Sequence, residues 1–249
     1  TGRYPFRTGW SLHHDAALYS GGGFDPRRET TFARVLRDSG YATGIAGKWQ
    51  VNNLYDEPDA ITRHGFDEQL VWPGSIDRDK ADAALMAAFQ KAIANNDAEF
   101  LTEATRKIES RYWEPVLLRN GQREVAEGRF GPDVFLDFAF DFYRRHSKQP
   151  FLFYHAMVLT HGQNVKQQVV VTPDNRANPP KEEHELFTGM LRYADKQVGA
   201  IIAELERLDL MKNTIVILAS DNGTEKALSA RANGRVVQGG LYQITEAGG

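Results

Sequence analysis

The sequence contains no cysteine among its 249 residues. This absence excludes disulfide scaffolds, thiolate zinc sites, redox CxxC motifs and a cysteine nucleophile within the chain. An excess of charge of one sign is also missing: 30 Lys and Arg residues face 33 Asp and Glu residues, for a net charge of -3. We therefore expect no nucleic-acid partner. No apolar run approaches the roughly 20 residues that a membrane-spanning helix needs, so we expect no membrane span.

The two ends of the chain lack the features of natural protein termini. The chain begins with Thr1-Gly2-Arg3-Tyr4-Pro5, without an initiator Met or an apolar leader, and it closes with Glu246-Ala247-Gly248-Gly249. The remaining composition, 41% hydrophobic and 25% charged residues, is typical of a soluble globular protein. The expectation is a piece of a longer protein, truncated at both ends.

Three helix–strand pairs are predicted from the periodicity of apolar residues. The pairs are a helix that follows Thr30-Thr31 and ends at Ser39-Gly40 with a strand at 41–46, a helix that begins at Pro132-Asp133 with a strand at 151–156, and a helix from about Glu183 to Leu208 with a strand at 214–219. Asp133 is the expected N-cap of the second helix. Because the last two strands are apolar throughout, we expect both to be buried on both faces. This order predicts an α/β fold with a mostly parallel sheet.

The region from about residue 75 to residue 130 interrupts this alternation and is predicted to be an insertion. Two helices are expected there, at about 79–95 and 99–109, followed by a β-hairpin. The hairpin prediction depends on Asn120-Gly121, since Asn-Gly is the favoured pair for a two-residue type I′ turn.

Polar residues that can take part in catalysis or metal binding follow all three predicted strands. Lys48 follows the first strand, His161 the second, and Asp221-Asn222 the third. In open α/β sheets, ligands bind beyond the carboxyl ends of the strands. Carboxylate and amide oxygens suit Ca²⁺ or Mg²⁺, a lysine suits an anionic oxygen, and a histidine suits acid–base work. Each residue taken alone is more typical of a surface loop or turn, so it is their common position that carries the hypothesis.

In sequence the chain resembles the sulfatase family of the alkaline-phosphatase superfamily. The start, Thr1-Gly2-Arg3-Tyr4-Pro5, is similar to the tail of the family's first signature, which begins upstream with Cys or Ser-x-Pro-Ser-Arg. Gly40 to Trp49, GYATGIAGKW, is similar to the second signature, and Thr160-His161 to the active-site histidine segment. Tyr193 to Gly199 and Asn213 to Gly223, NTIVILASDNG, are similar to the helix and strand that precede the metal site.

The resemblance implies a fold and an activity. The fold would be a three-layer α/β/α, alkaline-phosphatase-like domain over 1–249, with the insertion at about 75–130. The activity would be hydrolysis of sulfate monoesters, on an aryl or other small molecule or on a sulfated glycan, by a periplasmic or secreted enzyme. The nucleophile would be a formylglycine made from a Cys or Ser upstream of Thr1, and the metal Ca²⁺ or Mg²⁺.

The resemblance also implies a role for individual residues. Asp221 and Asn222 would be metal ligands, and Lys48 would hold the sulfate and the nucleophile's oxygens. His161 would contact the sulfate or protonate the leaving alkoxide, and Gln50 would donate to the nucleophile.

Several family features are missing or changed. The nucleophile and an Asp-Asp pair of metal ligands would lie before Thr1, so we expect no turnover from this chain alone. Gln50 stands where many sulfatases carry His, and Leu241 occupies a lysine position. Two alternatives follow: a phosphodiesterase or phosphonate hydrolase of the same superfamily, or a non-catalytic protein that binds sulfated glycans.

Overall fold

The computed structural model describes residues 1–8, 24–55, 57–74, 111–162, 169–224, 229–232 and 234–240, with short helical pieces at 87–88, 91–92 and 94–95. In chain order the elements are α1 (Pro5–Thr8), α2 (Phe32–Asp38), β1 (Ala42–Lys48), α3 (Ala60–Arg63), β2 (Glu68–Trp72), β3 (Val116–Arg119), β4 (Gln122–Val125), α4 (Gly131–His146), β5 (Phe151–Ala156), α5 (Glu183–Arg207), β6 (Ser229–Ala232) and β7 (Arg235–Gln238). The helices expected at 79–95 and 99–109 fall mostly outside the described residues.

Strand β1 lies between β2 and the edge strand β5 in a five-stranded sheet with the order β4-β3-β2-β1-β5. It runs parallel to β2, with Gly44 opposite Glu68, and parallel to β5, with Gly44 opposite Phe153. Strands β3 and β4 add an antiparallel hairpin at the far edge. The predicted α/β class is confirmed: three neighbouring strands, β2, β1 and β5, are parallel, and β3 and β4 are antiparallel. Strand β2 and the separate β6–β7 hairpin were not predicted, because each is short and lacks a long apolar run.

Helices cover both faces of the sheet, which gives the expected three layers. One core cluster joins Leu70 and Leu117 of the sheet to Phe135 of α4 and Met190 of α5. A second cluster lies on the opposite face, where Ala33 of α2 and the short helix α3 pack on Ile45 and Val71. Neighbouring strand residues alternate between the two clusters, as the two-residue period of a strand requires. Fully burying a side chain such as Phe135 contributes about 1.5–3 kcal/mol.

Two glycines let other elements approach β1 closely. A Cβ on Gly44 would lie 2.8 Å from a ring carbon of Phe142 in α4. Gly47 has a φ of +113°, and a Cβ there would lie 1.9 Å from the carbonyl oxygen of Ala156 in β5. A side chain at either position would separate β1 from its neighbours. Gly47 therefore allows β5 to approach β1 closely at the end of β1, directly before Lys48.

Local turn and cap signals were predicted correctly where they depend on neighbouring residues alone. Thr31 caps α2, since its hydroxyl accepts a hydrogen bond from the Arg34 amide at 3.1 Å. Asn120 and Gly121 both have positive φ, 49° and 80°, between β3 and β4. Two left-handed residues in sequence are what a type I′ hairpin turn requires. The predicted hairpin is confirmed.

The prediction that Asp133 is the N-cap of α4 was wrong. Helix α4 begins at Gly131, and Phe130 occupies the cap position without a side-chain hydrogen bond. The Asp133 carboxylate instead accepts hydrogen bonds from the Tyr193 hydroxyl at 2.8 Å and the Gln197 amide at 3.0 Å, both in α5. The carboxylate that the local pattern predicted as a helix cap therefore takes part in a tertiary interaction with α5.

The predicted third strand at 214–219 was also wrong. This segment has no regular secondary structure and pairs with no strand in the described part of the chain, and Ile215 and Ile217 are 89% and 83% exposed. Strand β5 pairs with β1 alone among the described residues, and Tyr154 is 47% exposed. The expectation that both strands are buried on both faces therefore fails. Apolar composition does not make a strand where no described neighbour covers it.

Candidate active site

The carboxyl ends of the parallel strands bring Lys48 and His161 together. Lys48 is the last residue of β1 and lies in register with Trp72, the last residue of β2. His161 follows shortly after the end of β5, the neighbour of β1 on the other side. The positive charge of Lys48 lowers the pKa of the His161 ring, so the two groups lie within electrostatic range of each other. The site predicted from the strand ends thus has these two residues at one edge of the sheet.

The Asp221-Asn222 turn lies on the same side of the molecule. It follows the segment 214–220, which has no regular secondary structure, and the Ser220 hydroxyl donates a hydrogen bond to the Asn222 carbonyl at 2.6 Å. The negative charge of Asp221 raises the pKa of both Lys48 and His161, so this carboxylate lies within electrostatic range of both. Asp221 and Asn222 are exposed, so their oxygens are open to a ligand from solvent.

Arg111 also lies at this site, although no sequence pattern predicted it. Its Nη1 lies 3.1 Å from Nδ1 of His161, and its guanidinium carbon lies 4.3 Å from the centre of the Trp72 ring. The residue is only 7% exposed. It precedes β3 in a stretch without regular secondary structure, where periodicity gives no signal. Only the tertiary contacts identify it.

Tyr112 holds the loop that carries His161. Its buried hydroxyl lies 2.8 Å from the Val158 carbonyl oxygen and 2.6 Å from the His161 carbonyl oxygen. Burial raises the pKa of this phenol above its usual value, so the hydroxyl remains a donor. Since Arg111 and Tyr112 are adjacent in sequence, one short segment contacts both the ring and the backbone of His161.

The surroundings lower the pKa of both basic groups that the sequence predicted. Burial and then the charge of Arg111 lower the pKa of Lys48 to about 8, against the opposing effect of Asp221. Burial and then the charges of Arg111 and Lys48 lower the pKa of His161 to about 4. At neutral pH the site therefore holds two cations, one carboxylate and a neutral imidazole. This arrangement suits an oxyanion.

The sulfatase family model matches residues 1–235 of the chain. The chain belongs to the sulfatase family. It is 26% identical to human arylsulfatase D over 90% of this chain and 44% of that protein, and 26% identical to N-acetylgalactosamine-6-sulfatase of Canis lupus familiaris over 90% of this chain and 39% of that protein. The solved structure of Ps i-CgsB superposes with a TM-score of 0.58 at 21% identity, over 85% of this chain and 44% of that one.

These comparisons confirm the resemblance and the alkaline-phosphatase-like α/β fold of this sulfatase family member. The chain spans less than half the length of the relatives it matches. None of the helices described in the structure has the length and apolar character needed to cross a membrane.

Gln50, the remaining predicted residue of this family member, contacts the backbone that follows β2. Its amide Nε2 donates to the Gly74 carbonyl at 3.3 Å. Gly74 has a φ of +65°, and a Cβ there would lie 2.0 Å from Cγ of Gln50. Gly74 therefore leaves the space that Gln50 occupies. The role of Gln50 toward a nucleophile stays a prediction, and Leu241 lies outside the described residues.

Asp221 and Asn222 fit part of a site for a hard divalent cation. Their oxygens are of the kind that Ca²⁺ and Mg²⁺ prefer, but Ca²⁺ takes about six to eight oxygen ligands. Within the described ranges, no three residues among His, Asp and Glu are grouped so that they could hold an ion. The donor chemistry therefore fits the cation, and the number of donors does not complete its coordination.

Proposed function

We propose that the protein hydrolyses sulfate monoesters of aryl or carbohydrate alcohols. The observation that carries this proposal is the grouping of Lys48 with Arg111 and His161, next to the Asp221 carboxylate, in a chain of the sulfatase family. Hydrolysis of a sulfate ester builds negative charge on the sulfate oxygens and on the leaving alkoxide. Preorganised cations and N–H donors stabilise such charge more effectively than water does.

Each side chain has a distinct task in this proposal. The Lys48 ammonium donates to the sulfate oxygens, since it is half-buried at the end of β1 and remains mostly charged at neutral pH. Because the pKa of His161 is about 4, its imidazole is neutral at neutral pH. A neutral imidazole donates a hydrogen bond to an ester oxygen through its N–H without carrying a full positive charge.

The metal and the nucleophile complete the proposal. Asp221 and Asn222 would hold Ca²⁺ or Mg²⁺ with further ligands from outside the described residues, and the cation would neutralise charge on the sulfate. We propose a formylglycine nucleophile, made from a Cys or Ser that precedes Thr1 in the natural protein, with Gln50 as a donor to it. By the same resemblance, we propose a periplasmic or secreted location. The names arylsulfatase and N-acetylgalactosamine-6-sulfatase support aryl and carbohydrate substrates as the first to test.

The proposal is tested by assaying the full natural protein with 4-nitrophenyl sulfate and Ca²⁺. We expect Lys48→Ala and His161→Ala each to lower kcat/KM roughly 10²–10³-fold, the usual cost of losing one preorganised donor. Lys148→Ala is the matched control, because Lys148 is exposed in the turn after α4. It is expected to leave kcat/KM unchanged.

Two outcomes would replace the proposal with one of its alternatives. Preferential turnover of a phosphodiester or a phosphonate by the same protein would indicate the related phosphodiesterase or phosphonate-hydrolase activity. Binding of sulfated glycans without turnover, and without an effect of the two substitutions on any hydrolysis, would indicate a non-catalytic binder.

A further inference from the structure

Nδ1 of His161 has two neighbours that require opposite protonation states. Nη1 of Arg111 lies 3.1 Å away, and the carbonyl oxygen of Gly162 lies 2.7 Å away. A guanidinium only donates hydrogen bonds, so the contact with Arg111 needs Nδ1 as an acceptor. A carbonyl only accepts, so the contact with Gly162 needs a proton on Nδ1. A single neutral imidazole satisfies one of these neighbours and not the other.

The contact with Gly162 is the shorter of the two, but only the contact with Arg111 has a charged donor. The guanidinium is charged at every pH at which the protein folds, and a hydrogen bond from a charged donor is stronger than one between neutral groups. Arg111 is also fixed in place, because it is buried and stacks 4.3 Å from the Trp72 ring centre. A proton on Nδ1 would turn two N–H groups toward each other in a partly buried site, where such repulsion is costly. The contact with Arg111 therefore favours an unprotonated Nδ1.

We propose that Arg111 is a positioning residue that selects the neutral tautomer of His161 with its proton on Nε2. The imidazole then presents an N–H donor from Nε2, while Nδ1 accepts from Arg111. This inference rests on the proposed function for its catalytic meaning, because Nε2–H is the group that would donate to a sulfate ester oxygen. Without Arg111, the proton moves to Nδ1 to meet the Gly162 carbonyl, and Nε2 presents a lone pair that repels an oxyanion.

Two further features of the site support this tautomer. Burial, and then the charges of Arg111 and Lys48, disfavour a second proton on the ring, which keeps the imidazole neutral, with a pKa of about 4. Tyr112, next to Arg111 in the chain, contacts the carbonyl oxygens of Val158 and His161. The histidine loop is thereby held against the segment that carries the guanidinium.

The tautomer can be read directly by nitrogen NMR on the full natural protein labelled with ¹⁵N-histidine. At neutral pH we expect Nδ1 of His161 to resonate as an unprotonated imidazole nitrogen and Nε2 as a protonated one, with the signals assigned by their loss in His161→Gln. In Arg111→Met the two assignments should exchange, and in Arg111→Lys, which keeps a charged donor, they should remain. The matched control is Arg176→Met, since Arg176 also stacks on a tryptophan, 4.2 Å from the Trp113 ring centre. It should change neither nitrogen.

The wild-type spectrum alone can overturn the proposal: a protonated Nδ1 contradicts it, even if Arg111→Met does not fold. Unchanged nitrogen signals in a folded Arg111→Met protein contradict it equally. In the sulfatase assay, Arg111→Met should lower kcat on the order of 10²-fold, with a smaller change in KM and partial recovery in Arg111→Lys. The spectra do not depend on turnover, so a failed assay with the expected spectra would reject the proposed function and leave the tautomer assignment standing.

Discussion

At the scale of single residues, the site illustrates what local sequence does and does not predict. Lys48, His161 and the Asp221-Asn222 pair were predicted because each follows an apolar run. In the structure the charges of Lys48 and Asp221 both act on the His161 ring. Arg111 was missed, because no periodic element carries it and its partners are residues far away in the chain. A residue of this kind is visible only once the fold is known.

The lowered pKa of Lys48 predicts an alkaline limit to function. Anion binding needs the charged ammonium, so kcat/KM should fall as the pH rises through about 8, the pKa of Lys48 in the folded protein. In Lys48→Arg the fall near this pH should disappear, since arginine stays charged throughout the accessible range. The measurement is the pH profile of kcat/KM for 4-nitrophenyl sulfate in both proteins. An identical alkaline limb in Lys48→Arg would assign it to another group.

At the scale of elements, the accuracy of prediction follows the range of the interaction. Helix α2 and the Asn120-Gly121 hairpin depend on residues near in sequence, and both were predicted correctly. The segment 214–219 has an equally strong apolar signal, but a strand also needs a neighbour to pair with, which composition does not reveal. Asp133 shows the same effect, since distant donors in α5 engage it.

The approach of β5 to β1 gives an element-scale prediction about Gly47. Gly47→Ala should lower the free energy of unfolding by at least about 1–3 kcal/mol, the usual cost of a strained backbone conformation. The residue has a φ of +113°, and its new Cβ would also meet the Ala156 carbonyl. The control is Gly199→Ala in α5, where no atom lies within 4 Å of the added Cβ. There we expect a gain of about 0.5–1 kcal/mol, because alanine favours helix. Urea unfolding of both variants measures the difference, and an equal effect at the two sites would contradict it.

At the scale of the whole molecule, the described surface combines an ordered sheet with an uncovered apolar segment. Ile215, Ile217 and Leu218 are 89%, 83% and 73% exposed, and the chain near them has no regular secondary structure. Exposed apolar segments associate with one another in solution. The membership of the family was predictable from ordered motifs, whereas this surface was not, because the same residues had indicated a buried strand.

This surface predicts association of the 249-residue chain. Its apparent mass in sedimentation should rise with concentration, and Ile215→Lys with Ile217→Lys should suppress the rise. Ala177→Lys with Asn178→Lys adds the same charge to an exposed loop and serves as the control. Suppression by both pairs would mean that net charge, rather than the apolar segment, governs association.

The position of β1 between β2 and β5 also sets the order in which the molecule assembles. Its pairing with β2 joins Gly44 to Glu68, whereas its pairing with β5 joins Ala42 to Phe151 and closes a loop several times longer. Since closing a longer loop costs more entropy, we expect the β1–β2 unit to form early and β5 to dock late. Lys48 then takes its final position in β1 before the docking of β5 brings His161 close to it. Lys48 and His161, which are far apart in sequence, therefore take their final positions at different times during folding.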